Sequence, residues 1–316
     1  MDLVGIDRRA VEKVGRVLKK HSINLPRLDL YDQRYYPPAT ADEESVARYF
    51  VVMVSMDHRL GRPGKPYEAC LEDGCYHGAD LLYRLGKLKF DEDPSFFDPA
   101  RLAEVKVEDV VKWLSVGGAA PPDPEVRALL LRDLGFKLTR LWDGQVTKLI
   151  KSAGGRLRGT PSEQGLVDLM RVFRAFEDPV EKKTMLLAKF LAGRGLFNPV
   201  DELDVAVDNH LTRQAIRIGL VVVSGELWDK IKRGVEISRD EDVLLRLTVR
   251  LAYRHLSSTA GIRASALDDF FWLHGRTVCL RDKPECDKCI LRNVCAAFRN
   301  KSFMVNEPTY YNTWFY

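Results

Sequence analysis

The 316-residue chain lacks the features that mark fibrous, disordered and membrane-spanning proteins. It has only 22 glycines and 15 prolines, and 46% of its residues are hydrophobic, which excludes collagen-like and disordered chains. Its longest apolar runs, 49–56 and 218–224, span eight and seven residues, so we expect no membrane helix. The first residues contain no apolar stretch of the signal-peptide type, and we therefore expect a cytoplasmic protein with reduced or metal-bound thiols.

The chain also lacks a strong net charge, and its value of +4 does not by itself indicate a nucleic-acid partner. The basic residues are nevertheless unevenly placed. Segment 276–301 carries seven basic residues against three acidic ones, and the first twenty residues carry six against three. These two stretches predict either a phosphate-facing surface or an ordinary solvated face. A charged fraction of 30% with only four glutamines is compatible with a thermophilic source.

Apolar periodicity predicts helix along most of the chain, and no pair of alternating segments flanks a turn, so the predicted fold class is all-α. Cys70 and Cys75 are expected to be buried and unpaired. The aromatic tail, 303–316, is expected to dock on the body of the protein. The predicted helices are 43–56, 76–87, 107–114, 123–133, 137–153, 161–176, 183–193, 209–221, 225–231, 240–256 and 265–274.

Four of the six cysteines lie within seventeen residues and form the strongest motif in the sequence. They are spaced C-x6-C-x2-C-x5-C, at Cys279, Cys286, Cys289 and Cys295. Four thiolates in so short a loop can wrap one 4Fe-4S cluster. A zinc ion is the alternative, although structural zinc sites usually use two close cysteine pairs and this loop has one.

The cysteine spacing resembles the iron-sulfur loop of the endonuclease III and adenine mismatch glycosylase branch of the helix-hairpin-helix DNA glycosylases. A second resemblance lies upstream, where the sequence VAVDNH at 205–210 is similar to the segment that carries this superfamily's catalytic aspartate. A third is KKTMLL at 182–187, which resembles the end of the hairpin where bifunctional members place a nucleophilic lysine. Together these similarities cover roughly 107–295.

The resemblance implies catalytic roles for Asp208 and Lys183. A carboxylate near the anomeric carbon stabilises the positive charge that develops as a base departs. A buried lysine with a lowered pKa can attack that carbon, form a Schiff base and cleave the strand by elimination. For Asp208 the alternative is a purely structural helix cap. For Lys183 it is a surface position, with Lys182 or Lys189 as competing nucleophiles.

The hairpin departs from the usual glycine-rich pattern of this superfamily. The aligned stretch, EDPVE at 177–181, has no glycine and three acids, so an ordinary hairpin grip on a DNA phosphate is not expected. The wider stretch FEDPVEKKTMLLAKF is similar to the hairpin of archaeal 8-oxoguanine DNA glycosylases, a branch not known for the iron-sulfur loop. Queuosine salvage glycosylases, which act on a free nucleoside or nucleotide, share this divergent style and supply a competing function.

The resemblance implies a two-lobed helix-hairpin-helix glycosylase fold with a C-terminal 4Fe-4S cluster loop. We expect an N-terminal segment, 1–40, that packs with the C-terminal lobe, a helical barrel domain, 41–203, and an iron-sulfur domain, 204–316. His58 and Trp142 are candidates for the base pocket, with a structural role as the alternative for His58. The candidate DNA contacts are Arg281, Lys283, Lys288 and Arg292.

The predicted function is that of a monomeric base-excision DNA glycosylase with AP lyase activity, acting on double-stranded DNA that contains an oxidised base. Two other interpretations stay open. One is an enzyme of the same fold that acts on a modified nucleoside or RNA base, which the acidic hairpin favours. The other is a non-catalytic lesion binder, against which Asp208 and Lys183 argue.

Overall fold

A computed structural model describes residues 3–21, 25–62 and 64–316 and divides the chain into two compact units. Unit 1 comprises Met1–Leu28 and Leu203–Thr313, and unit 2 comprises Asp29–Glu202 and Trp314–Tyr316. The predicted N-terminal segment, 1–40, is thus shared between the units, and the last three residues join unit 2. In the described part of the chain, no helix is both long and apolar enough to cross a bilayer.

The fourteen helices and four strands of the described residues carry most of the structure. In chain order they are β1 (Val4–Ile6), α1 (Arg8–His21), α2 (Glu43–Met56), β2 (Glu68–Leu71), β3 (Gly74–His77), α3 (Ala79–Glu92), α4 (Pro99–Leu102), α5 (Val107–Leu114), α6 (Pro124–Trp142), α7 (Val146–Ser152), α8 (Leu166–Met170), α9 (Lys182–Gly193), α10 (Asn209–Ile218), β4 (Val221–Val223), α11 (Gly225–Arg233), α12 (Arg239–Ala260), α13 (Ala264–Thr277) and α14 (Ala296–Arg299).

Helix α2 forms the centre of unit 2. The Asp42 carboxylate accepts a hydrogen bond from the Ser45 main-chain N–H and caps the helix start. Residues 46–47 and 49–56 are buried, so apolar side chains surround most of the helix. It packs against α3, α6, α7 and α9. The end of α2 is therefore enclosed by several elements, which matters for the site described below.

In unit 1, α12 supports both α1 and α13. The sequence analysis did not predict helix α1, because it interpreted this segment only by its exposed basic residues. Its other face buries Val11, Val14 and Leu18, and that apolar stripe packs on α12. Strand β1 pairs antiparallel with β4, so the predicted helix 209–221 ends earlier, at Ile218.

The structure corrects the sequence prediction around the cysteines at 70 and 75. Strands β2 and β3 form an antiparallel hairpin in which Cys70 and Cys75 are directly opposite and joined by a disulfide. Both cysteines are exposed, so the expectation that they are buried and unpaired was wrong. The predicted helix 76–87 begins only at Ala79, since strands of four residues are too short to show a clear alternating pattern.

Helix α6 also differs from the prediction, which placed a break between 133 and 137. The helix runs through Gly135 to Trp142. A Cβ atom at Gly135 would lie 2.4 Å from the carbonyl oxygen of Pro99. The glycine therefore permits close packing of α6 against α4 and does not end the helix.

The predicted helix 161–176 is mostly a loop in the structure. Only Leu166–Met170 is α-helical, with a short 3-10 turn at Arg174–Phe176. The loop's main-chain N–H groups are taken up by carboxylates: Asp168 accepts from Gly159 at 2.7 Å, and Asp201 accepts from Leu157 at 2.7 Å. Hydrogen bonds to side chains thus replace those of a helix here.

Candidate active site and cysteine loop

Lys183 lies in the first turn of α9 and is fully buried. Its Nζ atom donates a hydrogen bond to the Ser55 carbonyl at 2.6 Å and lies 3.1 Å from Nδ1 of His58. His58 is itself buried, at 4% exposure. The amine and the imidazole thus meet inside unit 2, at the C-terminal end of α2.

Three buried basic side chains bind the main-chain carbonyls at this end of α2. Lys183 reaches Ser55, Lys182 donates to the Asp57 carbonyl at 2.8 Å, and Arg127 donates to the carbonyls of residues 56, 58 and 59. These groups satisfy carbonyls that have no partner within the helix. The negative end of the helix dipole favours cations at this position.

For Lys183 and His58, the effect of burial outweighs the attraction of the helix dipole for positive charge. Desolvation, followed by the charges of Lys182 and Arg127, lowers the pKa of Lys183 well below its usual value, although Asp57 and Asp178 oppose the shift. Burial is also the largest cause lowering the pKa of His58, with the Lys183 charge next. Both shifts favour the neutral forms of the amine and the imidazole, and a neutral amine can act as a nucleophile.

The acidic turn before Lys183 is turned inward. The Asp178 carboxylate is buried and accepts from the main-chain N–H groups of Val180 and Lys182, both at 2.6 Å. Glu181 is also buried and pairs with Arg158 at 2.5 Å and Arg171 at 2.9 Å. Two of the three acids thus hold the turn together and are neutralised inside the protein. Glu177 alone is exposed.

Glu181 occupies the backbone position that a glycine would fill in a glycine-rich hairpin. Its φ angle is 61°, in the left-handed region, and it directly precedes α9 as the N-cap residue. A non-glycine residue is rare there, and the two arginine contacts offset the conformational cost. The sequence alone did not show that Glu181 adopts this conformation or that buried ion pairs hold it.

Asp208 is the N-cap of α10 in unit 1, as the sequence predicted. One carboxylate oxygen accepts from the Leu211 N–H at 2.8 Å, which leaves the other oxygen for a further partner. The preceding residues, 205–207, are buried, and Asp268 anchors them by accepting from the Ala206 N–H at 2.9 Å. Asp208 is half-buried at the end of this rigid segment.

The four clustered cysteines of unit 1 line one cavity. The cavity has a volume of about 20 Å³, and its polar lining consists of the cysteine sulfurs, His274 and two arginines. Arg217 donates towards Sγ of Cys279 at 3.6 Å, and Nε2 of His274 lies 3.3 Å from Sγ of Cys289. Among the described residues, no three His, Cys, Asp or Glu side chains are placed to hold a single metal ion.

The remaining predicted site residues lie in two different environments. The four candidate DNA contacts of the cysteine loop are exposed, and three of them form ion pairs with nearby acids. Trp142 is buried at the end of α6, where its ring packs 5.7 Å from that of Phe173. His58 lies beside Lys183. The sequence analysis missed the roles of Arg127 and Asp178. The only signal for Arg127 was a charged residue on a buried helix face, and the only signal for Asp178 was its place among the three acids of the turn.

Comparison with solved structures identifies the fold. The chain matches an endonuclease III trapped as a covalent DNA intermediate in an estranged-adenine complex, with a TM-score of 0.50 and 13% identity, covering 94% of this chain and 99% of that one. The chain has the endonuclease III fold. A non-covalent endonuclease III–DNA complex (TM-score 0.49, 14% identity, 94% and 98% covered) and a thermostable thymine-DNA glycosylase (0.49, 12%, 93% and 99%) were also found.

No family model matches the chain, and no curated protein matches it in sequence. The endonuclease III fold confirms the predicted all-α, two-lobed architecture with a cysteine loop near the C-terminus. Lys183 lies in the first turn of α9 in unit 2, and Asp208 caps the start of α10 in unit 1.

Proposed function

We propose that the chain is a base-excision repair DNA glycosylase with AP lyase activity, in which Asp208 and Lys183 are the catalytic residues. The observation that carries the proposal is the buried Lys183 amine, whose pKa is lowered and whose position is set by two hydrogen-bond partners. A surface lysine would have neither property. The enzyme would act as a monomer in the cytoplasm, at the nucleoid.

In the proposed reaction, Lys183 Nζ attacks C1′ of the damaged deoxynucleotide. The Nζ–C1′ bond forms as the glycosidic bond breaks, and the base leaves with the electron pair and takes up a proton. The amine then loses a proton and the sugar ring opens to give a Schiff base. Loss of the C2′ proton allows elimination of the 3′ phosphate, which cleaves the strand.

Asp208 would act on the sugar. As the base departs, positive charge develops at C1′ and the ring oxygen, and a carboxylate nearby stabilises it. The cap bond to Leu211 fixes the orientation of this carboxylate and uses only one of its oxygens. Capping and catalysis are therefore compatible roles for the same side chain.

A 4Fe-4S cluster is the cofactor that we propose for the cysteine loop. The donor set fits it, since four cysteines line one cavity and buried polar groups face two of the sulfurs. Cys279, Cys286, Cys289 and Cys295 would hold the cluster. When bound, it would order the basic loop that presents Arg281, Lys283, Lys288 and Arg292 to DNA phosphates.

The structure lessens the support for a nucleoside or RNA enzyme. The acidic hairpin was one of the two grounds for that alternative, and two of its three acids, Asp178 and Glu181, are buried and bonded within unit 2. We therefore propose damaged double-stranded DNA as the substrate. The iron-sulfur branch with an archaeal 8-oxoguanine-type hairpin stays our proposal for its place among the glycosylases.

Borohydride trapping tests the proposal. The protein is incubated with duplexes that bear 8-oxoguanine, thymine glycol, uracil, hypoxanthine or an abasic site, and covalent adducts are resolved on a gel. We expect an adduct with the abasic site and with one oxidised base, its loss in Lys183→Gln, and no base release by Asp208→Asn. Lys189→Gln, on the same helix, is the control and should trap normally.

Two results would contradict the proposal. Trapping that persists in Lys183→Gln would assign the nucleophile to another amine. No adduct and no base release from any duplex, with release from free nucleosides or RNA, would support the alternative enzyme.

A further inference from the structure

We propose that His58 positions the Lys183 amine through its Nδ1 atom and so directs the amine's lone pair towards the substrate. This inference rests on the proposed lyase function and deepens it. His58 follows the C-terminal end of α2, whereas Lys183 lies in the first turn of α9, and Nδ1 of His58 is 3.1 Å from Nζ of Lys183. Both side chains are buried, so water does not compete for this contact.

The number of hydrogen bonds supports a positioning role. A neutral lysine amine has two N–H donors and one lone pair. The Ser55 carbonyl at 2.6 Å can only accept, so it takes one N–H. If Nδ1 of His58 accepts the second N–H, the remaining tetrahedral direction on Nζ carries the lone pair. Two fixed acceptors thus leave one direction for attack.

This arrangement requires a particular tautomer of His58. Nδ1 must be unprotonated, with the proton on Nε2. In the opposite tautomer, Nδ1 would donate to Nζ and occupy the very lone pair that the reaction needs. A protonated imidazole would do the same, and burial together with the surrounding cations disfavours that form.

Charged groups reach Lys183 from every element around it. Asp57 lies at the end of α2, Arg127 on α6, Lys182 on α9 and Asp178 in the preceding turn. These groups set how readily the amine is protonated. His58, which is neutral, would instead set its orientation. The two effects can be separated, because raising the pH returns a protonated amine to its reactive neutral form but does not reorient a misdirected one.

The first experiment measures the tautomer without any substrate. The protein is labelled with 15N-histidine, and the His58 signals are assigned by comparison with His58→Asn. We expect an unprotonated Nδ1 and a protonated Nε2, with the Nδ1 shift changing in Lys183→Met. A proton on Nδ1, or no change in Lys183→Met, would overturn the inference. This result does not depend on whether the protein is a glycosylase.

The second experiment compares His58→Asn with His58→Leu in borohydride trapping across a pH series. Asparagine places an acceptor oxygen near the position of Nδ1, whereas leucine resembles histidine more closely in size but accepts nothing. We expect the maximal rate at high pH to fall about tenfold or more in the leucine variant, and to stay within about threefold of wild type in the asparagine variant.

The order of the two variants distinguishes positioning from a structural role. If His58 only filled space, leucine would be tolerated better than asparagine, and the trapping rates would follow the unfolding temperatures. Equal rates in both variants, or full recovery of the leucine variant at high pH, would also overturn the inference. Failure of the wild type to trap any duplex would refute the proposed function, while the 15N measurement would still decide the geometry.

Discussion

Oδ2 of Asp178 lies 2.6 Å from the main-chain nitrogen of Lys182, the residue directly before Lys183. The other oxygen of the same carboxylate accepts from the Val180 N–H and, at 3.3 Å, from the hydroxyl of the C-terminal residue, Tyr316. One buried acid thus joins the turn, the start of α9 and the end of the chain. The glycine-free hairpin is held from within by this carboxylate, which places Lys183 beside α2.

Asp178→Asn should therefore loosen the turn. An amide keeps one acceptor oxygen, but its NH2 group then faces a main-chain N–H that has lost its partner. We expect the free energy of unfolding in denaturant to fall by about 1–3 kcal/mol, and the trapping rate to fall with it. Glu177→Gln, at the exposed acid of the same turn, is the control. Equal stability of the two variants would show that the Asp178 hydrogen bonds contribute little.

The rate of trapping should depend on pH through Lys183. Its pKa in the folded protein lies well below the usual 10.5, so the reactive neutral amine persists to lower pH than in a free lysine and is lost as the pH falls through the lowered value. The neighbouring Lys182 charge contributes to that lowering. Lys182→Gln should therefore move the pH–rate profile to higher pH, whereas Lys189→Gln should leave it in place. A shift to lower pH would contradict the assigned electrostatics.

The same shift predicts how stability depends on pH. Between the lowered pKa of Lys183 and about 10.5, the unfolded chain binds a proton that the folded chain does not. The free energy of unfolding should consequently rise with pH in this interval, by up to about 1.4 kcal/mol per pH unit from this group. Lys183→Met lacks this dependence, so denaturation at pH 7 and pH 9 should give a smaller rise for the variant than for wild type.

Local sequence patterns predicted the elements that depend on local interactions. The bounds of α2 and α5 agree with the predicted 43–56 and 107–114, because an apolar stripe and an acidic first turn define each helix on its own. The cap at Asp208 is likewise a contact over three residues. Such features follow from spacing alone.

The surroundings of Lys183 could not be predicted in this way. Ser55 and His58 are more than 120 residues away in sequence, and Arg127 reaches α2 from another helix. No periodicity in the chain connects these positions. The disulfide was missed for a related reason, since four-residue strands carry too little pattern to predict the hairpin that brings Cys70 and Cys75 together.

The Cys70–Cys75 disulfide should contribute modestly to stability. It closes a loop of only six residues, for which the chain-entropy estimate is about 2 kcal/mol. We expect the Cys70→Ser, Cys75→Ser double variant to unfold at a lower denaturant concentration than wild type and to keep its trapping activity. Thiols are titrated in denaturant in untreated protein and in protein that was first reduced and then freed of reductant. The reduced sample should show two more thiols than the untreated one. An identical thiol count would show that the cysteines are reduced in solution.

Arg217 should stabilise the iron-sulfur cluster that we propose. It is 1% exposed and forms no ion pair with a carboxylate within the described ranges, yet its guanidinium faces Sγ of Cys279 and donates to the carbonyls of residues 280, 281 and 305. A buried cation without an anionic partner is costly, and cluster-bound thiolates would supply the missing negative charge.

Arg217→Met should therefore lower the iron and sulfide content per chain, since the cysteines lose that compensation. Lys283→Gln, at an exposed position of the same loop, is the control and should keep the full iron content. It should instead weaken duplex binding, and the slope of the logarithm of the binding constant against the logarithm of the salt concentration should become shallower by about 0.9. Full iron content in the Arg217 variant would show that the guanidinium only ties the loop to α10.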